Sequence, residues 1–302
     1  MVDLALHAEF LETARAQRRR YALGRVAVYG FLCIFALIYL LPLFVIVANS
    51  FRSLPEITQN GLIAVPRSFT FDAWSNAWSH FCVAGTCAGV QRNFYNSLLM
   101  TIPATIVSTL LGAINGYVLS KWRFGGSEFL FGCVTLGVFM PGQVALMPWA
   151  FILGNLHLSN SVYGLVLIHC VQGLSFTTLF CRNYYVNIPD DLIKAARIDG
   201  AGFWRILFKI VLPLSFPALA SFAIFQFLWT WNDLLVAMVF LGTGNESLVL
   251  TGRLVNLLGS RGGNWEILTA SAFVTIIVPL LVFFVLQRFL VRGLLAGSVK
   301  GG

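Results

Sequence analysis

Six apolar runs, near residues 26–47, 96–119, 129–153, 161–181, 210–241 and 267–290, divide the chain. Each is long enough to cross the roughly 30 Å hydrocarbon core of a bilayer. Inside that core no water satisfies a backbone N–H or C=O, so such a run must close its hydrogen bonds on itself as a helix. The expected fold is therefore all-α, a polytopic membrane protein with six transmembrane helices. Composition excludes the soluble alternative: 58% of residues are hydrophobic, 11% are charged, and mean hydropathy is +0.81, where a soluble domain is about half apolar.

The gaps between the runs carry unequal charge. With the first tail placed inside, fifteen of the twenty Lys and Arg fall on one side and five (Arg52, Arg67, Arg92, Arg253, Arg261) on the other. The positive-inside rule then puts both termini in the cytoplasm of a bacterial inner membrane. The net charge of +8 sits in short loop clusters, and no recognition fold is left over for nucleic acid. The first run is too long, and too far behind a polar tail, for a cleaved signal peptide. The tail "HAEFLETARAQRRRYALGR" reads first as a stop-transfer cluster and second as a helix lying on anionic lipid. The expected divisions are a cytoplasmic tail 1–25, a first span 26–48, a periplasmic loop 49–92, a transmembrane core 93–292 containing a polar cytoplasmic loop 182–209, and a cytoplasmic tail 293–302.

Ser108, Gly112, Gly116 and Ser120 recur every fourth residue in the second run. That stripe lets another helix backbone approach closely. Pro103, Pro141, Pro148, Pro213, Pro217 and Pro279 lie in or at the ends of runs, where each removes a donor and bends or breaks its helix; "MPGQ" at 140–143 is the sharpest break. Of six cysteines, Cys33, Cys133, Cys170 and Cys181 lie in apolar runs as small hydrophobes. Cys82 and Cys87 fall in the long outer loop, where an oxidising compartment favours a disulfide between them. The aromatic stretch "PRSFTFDAWSNAWSHF" in that loop fits a membrane-surface anchor or a docking face for a soluble partner.

Enzyme chemistry finds little support. There is no phosphate-binding glycine loop ending in Lys-Ser/Thr, and His7, His80, His157 and His169 are scattered without metal-ligand spacing. His169 reads as a core histidine. Asp233, in "WTWNDLLVAMVF", is the one carboxylate well inside an apolar run. Either it faces a wet cavity or a helix ends beside it. Trp229, Trp231, Asn232 and Asp233 together form a candidate surface for a polyhydroxylated ligand, weighed equally against an interfacial aromatic cluster with a helix cap.

The stretch 188–219, "IPDDLIKAARIDGAGFWRILFKIVLPLSFPAL", is charged and glycine-broken, between the fourth and fifth runs. Pro189 opens a helix, and Asp190 and Asp191 suit its positive end. Ala195 and Ala196 offer a flat surface, and Gly200 and Gly202 break the helix before a second one enters the membrane. A short helix presented sideways suits a groove of another protein.

These residues closely resemble the signature loop of permease subunits of bacterial ATP-binding-cassette importers, built on a Glu-Ala-Ala core, a following glycine and a later Ile-x-x-Pro. Here the matching residues are Ala195, Ala196, then Asp199, Gly200 and Ala201, then Ile210 and Pro213. The family's glutamate is replaced by Lys194, so a salt bridge made by that glutamate does not transfer; Asp190 and Asp191 are the candidate compensation. "NSLLMTIPATIVSTLLGAINGYVLSKWRF", "WTWNDLL" and "QRFLVRGLLAGSVKG" are similar to the carbohydrate branch, and to the maltose-system subunit type in particular.

The resemblance implies a fold, a set of partners and a mechanism. The fold is the type I importer permease. The partners are a second homologous permease, two ATPase subunits, one of them docked on residues 189–201, and a periplasmic solute-binding protein meeting the first outer loop and the loop near 242–266. It implies that Gly297, Ser298 and Lys300 of the tail reach between the ATPase subunits. No cofactor is expected on this chain, ATP and Mg²⁺ being bound by the partners, and no covalent chemistry. The cargo would be a sugar or sugar derivative, its identity open, as is a homodimer against a heterodimer of permeases. The rival, a stand-alone secondary transporter or channel, would want intramembrane carboxylates, and only Asp233 qualifies.

Overall fold

The computed structural model describes the backbone of residues 2–83, 86–122, 124–242, 247–259 and 263–298, with side chains for 21–82, 87–122, 124–242, 247–258 and 263–289. Helix α1 (Val2–Ser50) is followed by short helices α2 (Leu54–Asn60) and α3 (Asp72–Ser75), the latter running into a π-helical turn at Asn76–His80. A two-residue ladder, β1 (Cys82–Val83) antiparallel to β2 (Thr86–Cys87), is closed by a Cys82–Cys87 disulfide. Then come α4 (Gln91–Lys121), α5 (Ser127–Phe139), α6 (Leu146–Asn155), α7 (Val162–Tyr185), α8 (Asp190–Ile198), α9 (Phe203–Ile206) and α10 (Leu212–Trp231). The order ends with α11 (Leu235–Leu241), α12 (Leu250–Gly259) and α13 (Trp265–Ser298).

Among the described residues, five helical segments are long and apolar enough to cross a membrane: Tyr21–Ser50, Gln91–Lys121, Val162–Tyr185, Phe203–Trp231 and Trp265–Phe289. The expected third span is a bent pair, Ser127–Phe139 and Gly142–Asn155, which together pass the same test and make a sixth span turned by 101° at its break. Pro141 is the reason: extended backbone at Met140 and Pro141 interrupts the helical hydrogen bonds. The expected fifth span also stops early. It breaks at Asn232–Leu234, and α11 is a separate helix.

The centre of the bundle is the seam between α4 and α7. Gly112 lies against Thr177 and Gly116 against Cys181, where a β-carbon on Gly116 would sit 2.5 Å from Cys181 Cβ and 2.8 Å from the Arg182 amide nitrogen. Thr177 Oγ1 donates across this seam to Ser108 O at 2.7 Å. The small-residue stripe is therefore the packing face that its spacing predicts. One end of the bundle gathers Lys121, Arg182 and Lys194; a cluster there packs Ala113, Tyr117 and Tyr185 with Ile193 and Ala196 of α8 and Ile206 and Leu207 beyond it. At the opposite end Ala73, Ala77, Phe227, Trp231, Leu257 and Ala270 form a second cluster under α3 and α12.

Helix α1 stands at the edge, its apolar face exposed from Tyr21 to Phe44 and its inner side on α13. A polar knot ties its end to the outer loop. Arg52, fully buried, donates to Asn49 Oδ1 (2.7 Å), Gly61 O (2.9 Å) and both the side chain and the carbonyl of Glu56. Glu56 in turn accepts from the Arg67 amide at 2.8 Å and the Ser68 hydroxyl at 2.9 Å. The Arg67 amide is the main cause holding the Glu56 carboxyl below its ordinary value, with Ser68 and Arg52 adding to it.

Two outcomes follow from these contacts. Gly116→Ala forces a methyl into the α7 backbone and should cost about 1–3 kcal/mol, whereas Gly132→Ala, with open space around it, should be neutral; thermal unfolding in detergent separates them. The Glu56 knot is stabilised only while the carboxyl is ionised. Its contribution should be complete above the ordinary carboxylate pKa and vanish as pH falls through the lowered folded value, so limited proteolysis within residues 61–70 should accelerate there and Glu56→Gln should remove the pH dependence.

Candidate functional site

Helix α8 begins and ends where its sequence dictates. Pro189 has extended backbone before the first turn, Asp190 and Asp191 occupy the positive N-terminal end, and Arg197 lies in the last turn. Gly200 adopts a left-handed φ of +77°. Its amide donates to Arg197 O at 3.0 Å while the Ala201 amide reaches back to Ala196 O at 2.9 Å, the paired bonds of a Schellman stop. Open space surrounds Gly200, so backbone conformation, not crowding, demands the glycine.

The two alanines part company. Ala196 is buried with Ile193 against the bundle, and Ala195 faces outward beside Leu192 and Ile198, the last 86% exposed. Asp191, Lys194 and Asp199 share that outward surface. Lys194 Nζ lies 3.0 Å from Asp191 Oδ1, and this hydrogen bond raises the ammonium above its ordinary pKa. The lysine at the position of the resembled family's acid is thus already paired within its own helix. Asp190 turns elsewhere, to Lys121 Nζ at the end of α4, 2.7 Å away. Lys121 and its neighbour Trp122, which lies 4.8 Å under the Arg197 guanidinium, were not legible as site residues. A lone lysine closing a span is the only sequence signal they carry.

The four residues of the candidate ligand surface are not brought together. Trp229 is 70% exposed, whereas Trp231 is buried, stacked on Phe227 at 5.8 Å, with its indole N–H donating to Thr275 O at 3.0 Å. Asn232 bonds back to Leu228 O in its own helix. Asp233 follows the end of α10 and accepts from the Val236 and Ala237 amides at 3.3 and 3.0 Å, so it caps α11. Its Oδ2 also lies 3.5 Å from Nε2 of the buried His169. Thr251 Oγ1 and the Asp233 carbonyl join at 2.7 Å, and Asn93 and Asn96 both donate to Leu248 O. These bonds fasten the segment after residue 247 over the helix break. Of the expected tail contacts, Gly297 and Ser298 fall in the last turn of α13, with their side chains outside the described residues, and Lys300 lies outside them entirely. Among the described residues no group of three His, Cys, Asp or Glu is placed to hold a metal.

Residues 93–295 match the family described as binding-protein-dependent transport system inner membrane component. The alpha-glucoside transport system permease protein AglG of Rhizobium meliloti (strain 1021) is 52% identical over 242 residues, 78% of this chain; the chain spans 62% of that relative's length. The osmoprotective compounds uptake permease protein GgtD of Synechocystis is 45% identical over 213 residues, 70% of this chain and 72% of the relative. In fold, a chain of a bacterial ABC transporter involved in import of the acidic polysaccharide alginate superposes with a TM-score of 0.74 at 23% identity, covering 88% of this chain and 96% of that one.

The capping role of Asp233 is separable from its charge. Asp233→Ala should destabilise α11 by about 1 kcal/mol, and Asp233→Asn, which keeps the acceptor and removes the charge, should retain most of it; hydrogen exchange at the Val236 and Ala237 amides reads the difference.

Proposed function

Because the chain belongs to the family of binding-protein-dependent transport system inner membrane components, we propose that it is one permease half of an ATP-driven importer for a sugar of the α-glucoside class. A soluble binding protein delivers the sugar to the α3–α12 end. One of two ATPase subunits docks on the outward face of α8, a second permease completes the pathway, and the bundle alternates access as the ATPases close. ATP and Mg²⁺ belong to the ATPases, and this chain does no covalent chemistry. Both termini and the Lys121, Arg182 and Lys194 end face the cytoplasm, in keeping with the charge count. The tail from about residue 293 extends toward the ATPases.

The observation that carries the docking role is α8 itself: a nine-residue helix packed on the bundle through Ile193 and Ala196, stopped sharply at Gly200, and presenting exposed Leu192 and Ile198 beside paired charges. Exposed aliphatic side chains on a preorganised helix fit a groove in a partner. The sugar class rests on the 52% identity to the alpha-glucoside permease. An ion-coupled transporter would need a free intramembrane acid, and the Asp233 carboxylate is engaged by the α11 amides.

The test is co-expression of the tagged chain with its neighbouring permease and ATPase genes. The ATPase should co-purify, and proteoliposomes given the binding protein should take up radiolabelled trehalose or maltose only with ATP inside. Gly200→Val forces a β-branched residue into the left-handed region at about 1–2 kcal/mol, enough to lower uptake roughly tenfold. Uptake driven by an ion gradient without ATP, or an unchanged rate in Gly200→Val, would overturn the corresponding half of the proposal.

A further inference from the structure

Both ends of α8 are held by two consecutive residues that close α4. At the first turn the Lys121 ammonium, on a side chain only 5% exposed, donates to Asp190 Oδ1 at 2.7 Å, to Ile188 O and, at 3.4 Å, to Val186 O. One amine thereby ties the carbonyls that leave α7 to the carboxylate that starts α8. At the last turn the Arg197 guanidinium lies 4.8 Å over the Trp122 ring. Trp122 also meets Phe203 edge-on at 5.4 Å, and Phe203 rests on Tyr117 of α4 at 5.0 Å, so the chain is held again just past the Gly200 stop.

The covalent links of α8 are poor transmitters by comparison. On one side is the turn through Val186–Pro189, and on the other a stop whose Gly200 and Gly202 resist rotation least. Displacement of α8 would be absorbed in such turns unless side chains carried it. We propose that Lys121 and Trp122 form a two-point grip that passes movement of α8 directly into α4, and from α4 through the Gly112 and Gly116 seam into α7. The grip rests on the importer reading of α8 given above. It makes both residues positioning residues for coupling, set behind the docking face and not part of it. Because Lys121 holds α8 at one end and Trp122 at the other, α8 cannot roll or lift without taking the end of α4 with it.

The experiment uses the full complex in nanodiscs: this chain, its second permease, both ATPase subunits, and the binding protein with trehalose or maltose. Two quantities are read: the ATPase subunits retained per permease, and the ratio of hydrolysis with sugar-loaded binding protein to hydrolysis without it. Lys121→Met and Trp122→Ala should each lower that ratio about fivefold or more, the low end of ordinary coupling between sites, while ATPase retention stays at the unsubstituted level. Lys121→Arg, which keeps a donor able to reach the same acceptors, and Trp122→Phe, which keeps an aromatic face, should each preserve most of the ratio. An unchanged ratio in both Lys121→Met and Trp122→Ala overturns the grip, as does a parallel fall in ATPase retention, which would place the residues in docking. Should Lys121→Met fail to assemble, the Trp122→Ala and Trp122→Phe pair decides by the same ratio. An unsubstituted chain that retains no ATPase overturns the importer reading itself and with it the grip, a result visible before any substitution is made.

Discussion

The approach of α4 to α7 is the contact on which the rest of the molecule depends. In lipid there is little hydrophobic gain in pressing two apolar helices together, so close packing and hydrogen bonds across the seam must hold them. Gly112 and Gly116 bring the backbones within reach, and the Thr177 hydroxyl then donates to the Ser108 carbonyl. With that seam in place, the ends of α4 and α7 lie side by side, and Lys121 can collect the carbonyls of Val186 and Ile188 together with the Asp190 carboxylate. A wider spacing would leave the lysine short of them and α8 unanchored.

At the other end of the bundle polar side chains do the work that apolar packing cannot. The breaks at Met140–Pro141 and Asn232–Leu234 release backbone groups, which must find partners. Asp233 takes the α11 amides, Thr251 takes the Asp233 carbonyl, Asn93 and Asn96 take the Leu248 carbonyl, and Ser97 Oγ accepts from the Leu250 amide at 2.8 Å. Asn96, Ser97 and Asp233 read in isolation as stray polar groups in apolar runs. Together they fasten an irregular segment onto straight helices. Arg52 does the same at the end of α1.

Much of the fold was legible because hydrophobic length and small-residue spacing are local. The runs, the Ser108–Gly112–Gly116 face, the break at Pro141 and the Gly200 stop can all be read from neighbouring residues. The candidate site was legible in part. Helix α8 was marked by charge and glycine, but the split between a buried Ala196 and an outward Ala195 depends on which way the helix rolls against Tyr117 and Ile206. The aromatic group around Asp233 left two readings open for the same reason. Trp229 and Trp231 are two residues apart, about 200° around a helix, so one reaches the core and the other the surface.

The sequence by itself determined that the chain crosses a membrane, which end is basic, where helices must break, and that a short polar helix with a glycine stop lies at that basic end. It did so because burial of backbone in lipid and the φ preferences of glycine and proline act residue by residue. Only the tertiary structure decided that Lys121 meets Asp190, that Trp122 lies under Arg197, and that Asp233 lies beside His169. These join residues tens of positions apart. No local rule specifies them, since they exist only after the α4–α7 seam has fixed where each helix ends.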